Sequence, residues 1–366
     1  MKKIYILFLV FAFIMLNSCI VGRLILFNFA DVNDYKKFPS RSIENGEKKF
    51  EFPIAEKGKA PKEISIDGEI YSFEKYLDVN KTVAFIIIQN DTIQYERYLK
   101  KYDKSSVFPS FSMAKSITSV LIGCAIEDNY ITSVDEPITN YIPELKENGF
   151  DNVTIENLLQ MTSGLNFNEG YFNPFSDAAK FYYATNLRKS IKKMELDSEP
   201  NHKFDYSSGN TQLLGLLLEN SLKGKSISEY LEERIWKPLE MEFNASWSID
   251  SKTNGLEKTF CCLSASARDY AKIGRLYLNK GNWNGKQIVS ESWVNQSTKI
   301  DTTKGSVWNY QYQWWLPTKK GDYMAEGILG QYIYVNPTKN LIIVRLGEQE
   351  GRADWGVILT LLGEKY

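Results

Sequence analysis

The chain has 366 residues, of which 43% are hydrophobic and 14% aromatic, and its formal net charge is −1. This length and composition predict one large domain, or two lobes, around a sizeable core. The near-neutral charge, without a long run of like charges, excludes the electrostatic footprint of a nucleic-acid-binding protein.

The first residues have the pattern of an export signal. A short basic segment precedes an apolar run at residues 4–16, which is shorter than the ~20 residues that a membrane span needs. The sequence LNSC at residues 16–19 resembles the site at which bacterial lipoproteins are cleaved and lipidated. We therefore expect a signal peptide at residues 1–18, lipidation of Cys19, and a membrane-anchored lipoprotein of the cell envelope, on its periplasmic or cell-surface side. The alternative is an uncleaved anchor over residues 4–30.

The other cysteines give no clear disulfide or metal pattern. With Cys19 lipidated, Cys124, Cys261 and Cys262 remain, and an odd set is a poor disulfide framework. Adjacent cysteines such as Cys261 and Cys262 rarely bridge each other because the geometry is strained. Cys124 lies in an apolar helical pattern and is expected to be a small buried side chain. No Cys/His cluster has zinc spacing and the chain has one histidine, so we expect no metal and no cofactor.

Strand patterns lie near both ends of the chain, with helical patterns between them. Residues 19–60 predict a membrane tether and an N-terminal arm, and residues 61–366 predict the folded domain. A β-hairpin is predicted at residues 82–99, and four more strands at residues 310–348 precede a last helix. A mostly helical lobe is predicted at about residues 125–250. We expect an α+β fold in which the strands from both ends share one antiparallel sheet flanked by helices, with a cleft beside the inserted lobe.

Local signals predict several helix boundaries. Thr154 is a candidate N-cap of a helix that is predicted to end at Gly164. Ser226 and Glu229 have the spacing of a capping box at the start of another helix. Gly281 follows a third helical pattern and predicts its C-terminal end.

Three serines have the Ser-x-x-Lys spacing that can make a serine nucleophilic: Ser72, Ser112 and Ser190. Ser72 lies in a short local pattern and Ser190 in a charged stretch, whereas Ser112 is predicted in the first turn of an apolar helix. The positive end of the helix dipole there favours a developing negative charge. Lys115 lies one turn further on the same face, so a buried amine with a pKa below its free value of ~10.4 can reach Ser112 as a base. The alternatives are a capping serine beside a solvated lysine, and a Ser-His-Asp triad, which is disfavoured because the one histidine, His202, lies in a polar loop.

Three further segments carry a family resemblance. They are TIENLLQMTSGL at residues 154–165, FDYSSGNTQLLGLLLE at residues 204–219 and AEGILGQYIYVNP at residues 325–337. Together with SMAKS at residues 112–116, they resemble the motifs of the serine β-lactamase and penicillin-recognising superfamily, in motif order. The similarity runs from about Val83 to the C-terminus and is greatest to class C-like hydrolases of the 6-aminohexanoate-dimer hydrolase and esterase branch. It implies a β-lactamase/transpeptidase-like fold and a cofactor-independent serine hydrolase that forms an acyl-enzyme.

The resemblance also implies a role for each motif residue. Ser112 would be the acylated nucleophile, and Lys115 and Tyr206 would share the roles of general base and acid, in an assignment that the sequence leaves open. The alternative for Tyr206 is a half-buried core tyrosine. The backbone N–H groups of Ser112 and Ile328 would form the oxyanion hole. The residues expected to contact the substrate are Ser208, Trp314, Glu326, Gly327 and Tyr332. Trp314, Trp315 and Tyr332 are candidates to line an apolar cleft, and the alternative is that they are core residues.

Two departures from the family pattern bear on the substrate. Members that bind β-lactams have Lys or His, then Ser or Thr, then Gly, where this chain has Ala325, Glu326 and Gly327. The cation that would hold a substrate carboxylate is missing, and the Glu326 charge should repel one. The second motif ends in Ser208 instead of Asn. We therefore expect an amide or ester substrate without that anion. The alternatives are a β-lactamase or D-alanyl-D-alanine carboxypeptidase, and a non-catalytic envelope protein that keeps the fold as a binding module.

Overall fold

The computed structural model describes residues 22–23, 29–66, 68–171, 173 and 175–366. The predicted signal peptide at residues 1–18 and the predicted lipidation site at Cys19 lie outside the described residues. Among the residues that are described, no helix combines the length and the apolar character that crossing a membrane requires.

The strands of the described residues fall into one large sheet and three smaller ones. In chain order they are β1 (Ser40–Ile43), β2 (Glu63–Ile66), β3 (Glu69–Ser72), β4 (Thr82–Gln89), β5 (Thr92–Tyr98), β6 (Val107–Pro109), β7 (Ala245–Ser248), β8 (Leu263–Ser266), β9 (Asn282–Trp283), β10 (Lys286–Gln287), β11 (Tyr310–Gln311), β12 (Trp314–Trp315), β13 (Tyr323–Gly327), β14 (Gln331–Asn336) and β15 (Leu341–Gly347).

Most of the helices of the described residues lie between the two groups of strands that build the large sheet. They are α1 (Phe73–Val79), α2 (Met113–Glu127), α3 (Ile155–Leu159), α4 (Asp177–Tyr182), α5 (Leu187–Ile191), α6 (Ser208–Ser221), α7 (Ile227–Leu231), α8 (Ala267–Leu278), α9 (Glu291–Thr298) and α10 (Trp355–Lys365). A π-helical turn, Glu232–Trp236, extends α7. The lobe predicted near residues 125–250 contains α3 to α7, together with short 3-10 turns.

The large sheet joins the two ends of the chain, as the sequence predicts. Its strand order is β11-β12-β13-β14-β15-β4-β5, with antiparallel pairing between β4 and β15. The β4–β5 hairpin turns at Asn90 and Asp91, whose φ angles of 52° and 57° are those of a tight hairpin turn. Every residue of β4 is buried, because its side chains alternate between the core on the α2 side and the core beneath α10. The mixed helix-and-sheet fold is therefore the α+β fold expected from the sequence.

Part of the segment that the sequence predicts as a membrane tether and N-terminal arm, residues 19–60, joins a sheet of the folded domain. β1 pairs antiparallel with β7 and extends a second sheet of the order β1-β7-β8-β6. Ile43 and Phe52 are buried in the main core. The arm packs onto the domain because these apolar side chains leave water on doing so.

The local helix signals are confirmed at most boundaries. Ser226 and Glu229 form the capping box, and Gly281 has the left-handed φ of 80° expected after a helix end. Thr154 caps α3, but the helix ends at Leu159 and not at Gly164. Met161 takes a φ of 59°, which an α-helix does not allow. The helix is therefore shorter than its apolar pattern predicts.

The cysteines depart from the sequence expectation in one respect. Cys261 and Cys262 form a disulfide between adjacent residues, so the expectation that they do not bridge is wrong. Cys262 has a φ of 72°, and this turn at the entrance to β8 brings the two side chains together. Cys124 is free and buried, as expected.

Candidate active site

Ser112 lies at the start of the helix that the sequence predicts. It is the N-cap of α2 and is half-buried. The preceding residue, Phe111, has a φ of 44°, a left-handed conformation that is costly for a bulky side chain. The tight turn between β6 and α2 thus presents Ser112 at the N-terminus of α2, at the positive end of the helix dipole.

Lys115 contacts Ser112 directly. Its Nζ lies 2.8 Å from Ser112 Oγ, 3.1 Å from Ser208 Oγ and 3.1 Å from the carbonyl oxygen of Phe260. The side chain is almost fully buried. Burial lowers the pKa of the Lys115 amine from 10.5 to about 8, and the negative charge of Glu169 opposes that shift. A substantial fraction of neutral amine is therefore present near pH 8.

Tyr206 packs beside the same amine. The centre of its ring lies 5.0 Å from Lys115 Nζ, and the ring stacks on Trp315 at 5.5 Å and meets the edge of Tyr310 at 5.8 Å. Burial raises the pKa of the Tyr206 phenol well above its usual value, and the charge of Glu169 acts in the same direction. Tyr206 is therefore a neutral phenol at physiological pH, able to donate a proton.

Strand β13 ends against the nucleophile turn. A Cβ at Gly327 would lie 2.4 Å from the carbonyl oxygen of Ser110 and 3.0 Å from the nitrogen of Ser112, so a glycine is required for this approach. Ile328 follows it and lines the same cavity as Ser112. The two residues whose N–H groups are expected to form the oxyanion hole thus border one space.

That cavity is narrow and apolar. Its volume is about 50 Å³, and the side chains that line it include Phe111, Ala178, Ala179 and Phe260 but no charged group. A wider groove of about 1300 Å³ adjoins it, and Ile328 belongs to the lining of both. The nucleophile therefore faces a small uncharged pocket next to an open groove.

The predicted substrate contacts divide into two groups. Ser208 and Gly327 lie at the site, whereas Trp314 is fully buried and packs on Tyr277 at 4.3 Å, away from the cleft. The next residue, Trp315, is the one that faces Tyr206, since successive side chains of a strand point to opposite faces.

Glu326 and Tyr332 form a pair beside the site. They are partners across the β13–β14 pairing, and the Tyr332 hydroxyl lies 3.3 Å from Glu326 and 3.1 Å from Glu350. Tyr332 packs in the core beneath α10, on the face of the sheet opposite to Ala325. Burial, with the charge of Glu350, raises the pKa of the Glu326 carboxyl to about 7. The structure thus places these two residues together but beside, and not within, the cavity that Ser112 lines.

The competing serines and the histidine lie outside this arrangement. Ser72 and Lys75 are exposed at the junction of β3 and α1. Ser190 Oγ donates to the carbonyl oxygen of Asn186. His202 is exposed in its loop. Among the three Ser-x-x-Lys pairs, Ser112 and Lys115 are the pair within hydrogen-bonding distance in the described structure.

Sequence patterns do not reveal two of the groups at the site. Glu169, in the loop between α3 and α4, contacts Ser208, and the Phe260 carbonyl contacts Lys115. The first contact spans 39 residues and the second 145. No local periodicity or motif connects residues so far apart.

Comparisons with known proteins show the family and the fold of the chain. The profile of the Beta-lactamase family matches residues 73–361. The 6-aminohexanoate-dimer hydrolase of Paenarthrobacter ureafaciens is 25% identical over 299 residues, covering 75% of this chain and 74% of that protein. A Bacillus anthracis structure assigned as a 6-aminohexanoate-dimer hydrolase is 26% identical, with a TM-score of 0.79 and coverage of 90% of this chain and 91% of that one. A penicillin-binding protein from Bacillus halodurans shares the fold alone, at 18% identity and a TM-score of 0.64 over 80% of this chain and 98% of that one.

Proposed function

Because the chain belongs to the Beta-lactamase family, we propose that it is a serine hydrolase that cleaves an amide or ester bond through an acyl-enzyme on Ser112. The observation that carries this proposal is the 2.8 Å contact between Ser112 Oγ and the buried amine of Lys115. A binding module needs neither a deprotonatable amine nor a hydroxyl at that distance from it.

The directions of the two pKa shifts favour one division of the proton transfers between Lys115 and Tyr206. Lys115, with its lowered pKa, takes the proton of Ser112 as Oγ attacks the carbonyl carbon. The negative oxygen of the tetrahedral intermediate is stabilised by the N–H groups of Ser112 and Ile328, at ~3 kcal/mol for each donor. Tyr206, with its raised pKa, gives its proton to the leaving amine or alcohol and recovers one from Lys115. Water then hydrolyses the acyl-enzyme.

The surroundings of Ser112 favour a substrate without a carboxylate at the position that β-lactams occupy. Ala325 is fully buried and offers no cation. The cavity beside Ser112 carries no charged lining, so an uncharged acyl group suits it. A linear amide is a suitable first substrate, since two similar proteins bear the name 6-aminohexanoate-dimer hydrolase.

The test is hydrolysis of a panel of p-nitrophenyl esters, anilides and the 6-aminohexanoate dimer. We expect turnover of at least one class, and we expect Ser112→Ala to abolish it. Ser72→Ala is the matched control, because Ser72 has the same spacing to a lysine but is exposed and does not line the cavity beside Ser112. Equal activity in Ser112→Ala and the wild type would contradict the proposal.

Anchorage at the cell envelope is proposed from the sequence at residues 16–19. Metabolic labelling with palmitate should modify the wild type in a bacterial host and leave Cys19→Ala unmodified. Equal labelling of both, or of neither, would contradict lipidation at Cys19.

A further inference from the structure

Glu169 is joined to the first turn of α6 by two hydrogen bonds. Its Oε2 accepts from the backbone N–H of Ser208 at 2.7 Å, and its Oε1 accepts from the Ser208 hydroxyl at 2.5 Å. Tyr171 donates a further hydrogen bond to Oε1 at 2.6 Å. A carboxylate is favourable at this position because it faces the positive end of the α6 dipole.

These contacts fix the direction of the Ser208 hydroxyl. A serine hydroxyl has one hydrogen, and here that hydrogen is donated to Glu169. The Ser208 oxygen therefore acts only as an acceptor towards Lys115, whose Nζ lies 3.1 Å away. The Phe260 carbonyl, at the same distance from Nζ, is a second fixed acceptor.

Two fixed acceptors determine how the lysine acts as a base. A neutral amine has two N–H groups, and Ser208 and the Phe260 carbonyl accept both of them, so the nitrogen lone pair points to Ser112 Oγ. After the proton is transferred, the ammonium group has three N–H groups and three acceptors. The site is thus arranged for the charged form of Lys115 that acylation produces.

We propose that Glu169 is a positioning residue that acts through Ser208 to orient the Lys115 amine and to stabilise the positive charge it acquires from Ser112; this inference rests on the proposed function. In this step the O–H bond of Ser112 breaks, its electron pair remains on Oγ and forms the bond to the substrate carbonyl, and the proton forms a new N–H bond on Lys115. Glu169 exchanges no proton in this step, so the step needs no further reactant.

The charge of Glu169 makes the proposal testable through the pH dependence of the labelling rate. That charge raises the pKa of Lys115, against the larger effect of burial. Removing the charge should therefore move the pH at which the amine loses its proton to a lower value. A residue that merely anchors its loop to α6 would leave that pH unchanged when it is replaced.

The titration of other groups near Glu169, Ser208 and Lys115 must be distinguished from the effect of the Glu169 charge. Burial raises the pKa of the neighbouring phenols, which therefore stay neutral in the working range: Tyr171, Tyr206 and Tyr310. Glu326 acts on Tyr206, and burial raises its pKa to about 7, so it does titrate in that range. The comparison is therefore repeated in a Glu326→Gln background.

The measurement is the second-order rate constant for labelling by a fluorophosphonate as a function of pH, on the full chain. Glu169→Gln keeps an acceptor for Ser208 but loses the charge, and Ser208→Ala breaks the link to Lys115. We expect both variants to lower the labelling rate on the high-pH plateau by roughly ten- to a hundredfold. In Glu169→Gln, the acid limb of the pH profile, where the rate rises with pH, should also move to lower pH. The double variant should be labelled no more slowly than the slower of the two single variants, because the two residues act as one unit.

Asp177→Asn is the matched control, since Asp177 accepts a hydrogen bond from the backbone N–H of Asn168, next to Glu169, but does not contact Ser208 or Lys115.

The outcomes separate the two proposals. An active wild type whose Glu169→Gln variant has the same rate and acid limb would overturn the role of Glu169 and leave the hydrolase proposal intact. The role would also be overturned if the rate of Glu169→Gln falls while its acid limb stays in place, as a loop anchor predicts. A wild type that takes up no fluorophosphonate would overturn both proposals. Circular dichroism of each variant checks that the fold is retained.

Discussion

The rate of ester hydrolysis should follow the loss of a proton from Lys115. Burial lowers the pKa of this amine from 10.5 to about 8, and only the neutral form can accept the proton of Ser112. Activity is therefore gained as the pH rises through the pKa. The logarithm of kcat/KM should increase with a slope of one up to about pH 8 and level off above it. At pH 6, about 1% of a group with this pKa is neutral, so kcat/KM should be roughly a hundredth of its plateau.

The assay measures kcat/KM from pH 5.5 to 10 with the ester of the substrate panel that is hydrolysed fastest. Product is separated from substrate before it is quantified. Measuring product after separation avoids the titration of a chromophoric leaving group. Thermal melts across the series identify the range in which the protein stays folded. A flat profile between pH 6 and 9, or an acid limb centred near ~10.4 as for an exposed lysine, would refute the assignment of Lys115 as the base.

Three other predictions concern the rest of the site. Tyr206→Phe should lower kcat for amides by about 10²–10⁴-fold, because the leaving amine loses its proton donor, and an unchanged kcat would exclude that role. Gly327→Ala should slow fluorophosphonate labelling with the fold retained, since the new Cβ would lie 2.4 Å from the Ser110 carbonyl oxygen; labelling at the wild-type rate would argue against this close approach. Nitrocefin should be hydrolysed weakly or not at all, because Ala325 supplies no cation, and efficient turnover would contradict the assignment of substrate class.

Local sequence signals predicted the elements that carry the nucleophile and the sheet. The start of α2 at Ser112, the β4–β5 hairpin and the capping box at Ser226 depend on residues that are close in sequence. Their hydrogen bonds and apolar periodicity are therefore visible without tertiary structure. The family motifs then indicated that Ser208 and Gly327 belong to the same site, which spacing alone does not show.

What the sequence missed depends on long-range packing or on a single-residue shift. Trp314 and Trp315 are both candidates for the cleft, but which of them faces Tyr206 depends on the register of the strand, because neighbouring side chains point to opposite faces. Glu169 reaches the site through a loop that has no motif of its own. The Cys261–Cys262 disulfide depends on a turn whose left-handed residue is not a glycine. No pattern of residue types distinguishes these cases from their alternatives.

The most direct test of the central claim is the intact mass of residues 20–366, a chain without the predicted lipidation site, after incubation with a fluorophosphonate. We predict a single adduct on the wild type, mapped by peptide digestion to Ser112, absent from Ser112→Ala and slowed in Lys115→Met. The Ser72→Ala control should be labelled as the wild type is. A folded wild type without an adduct, or an adduct that persists in Ser112→Ala, would contradict an activated serine at this position.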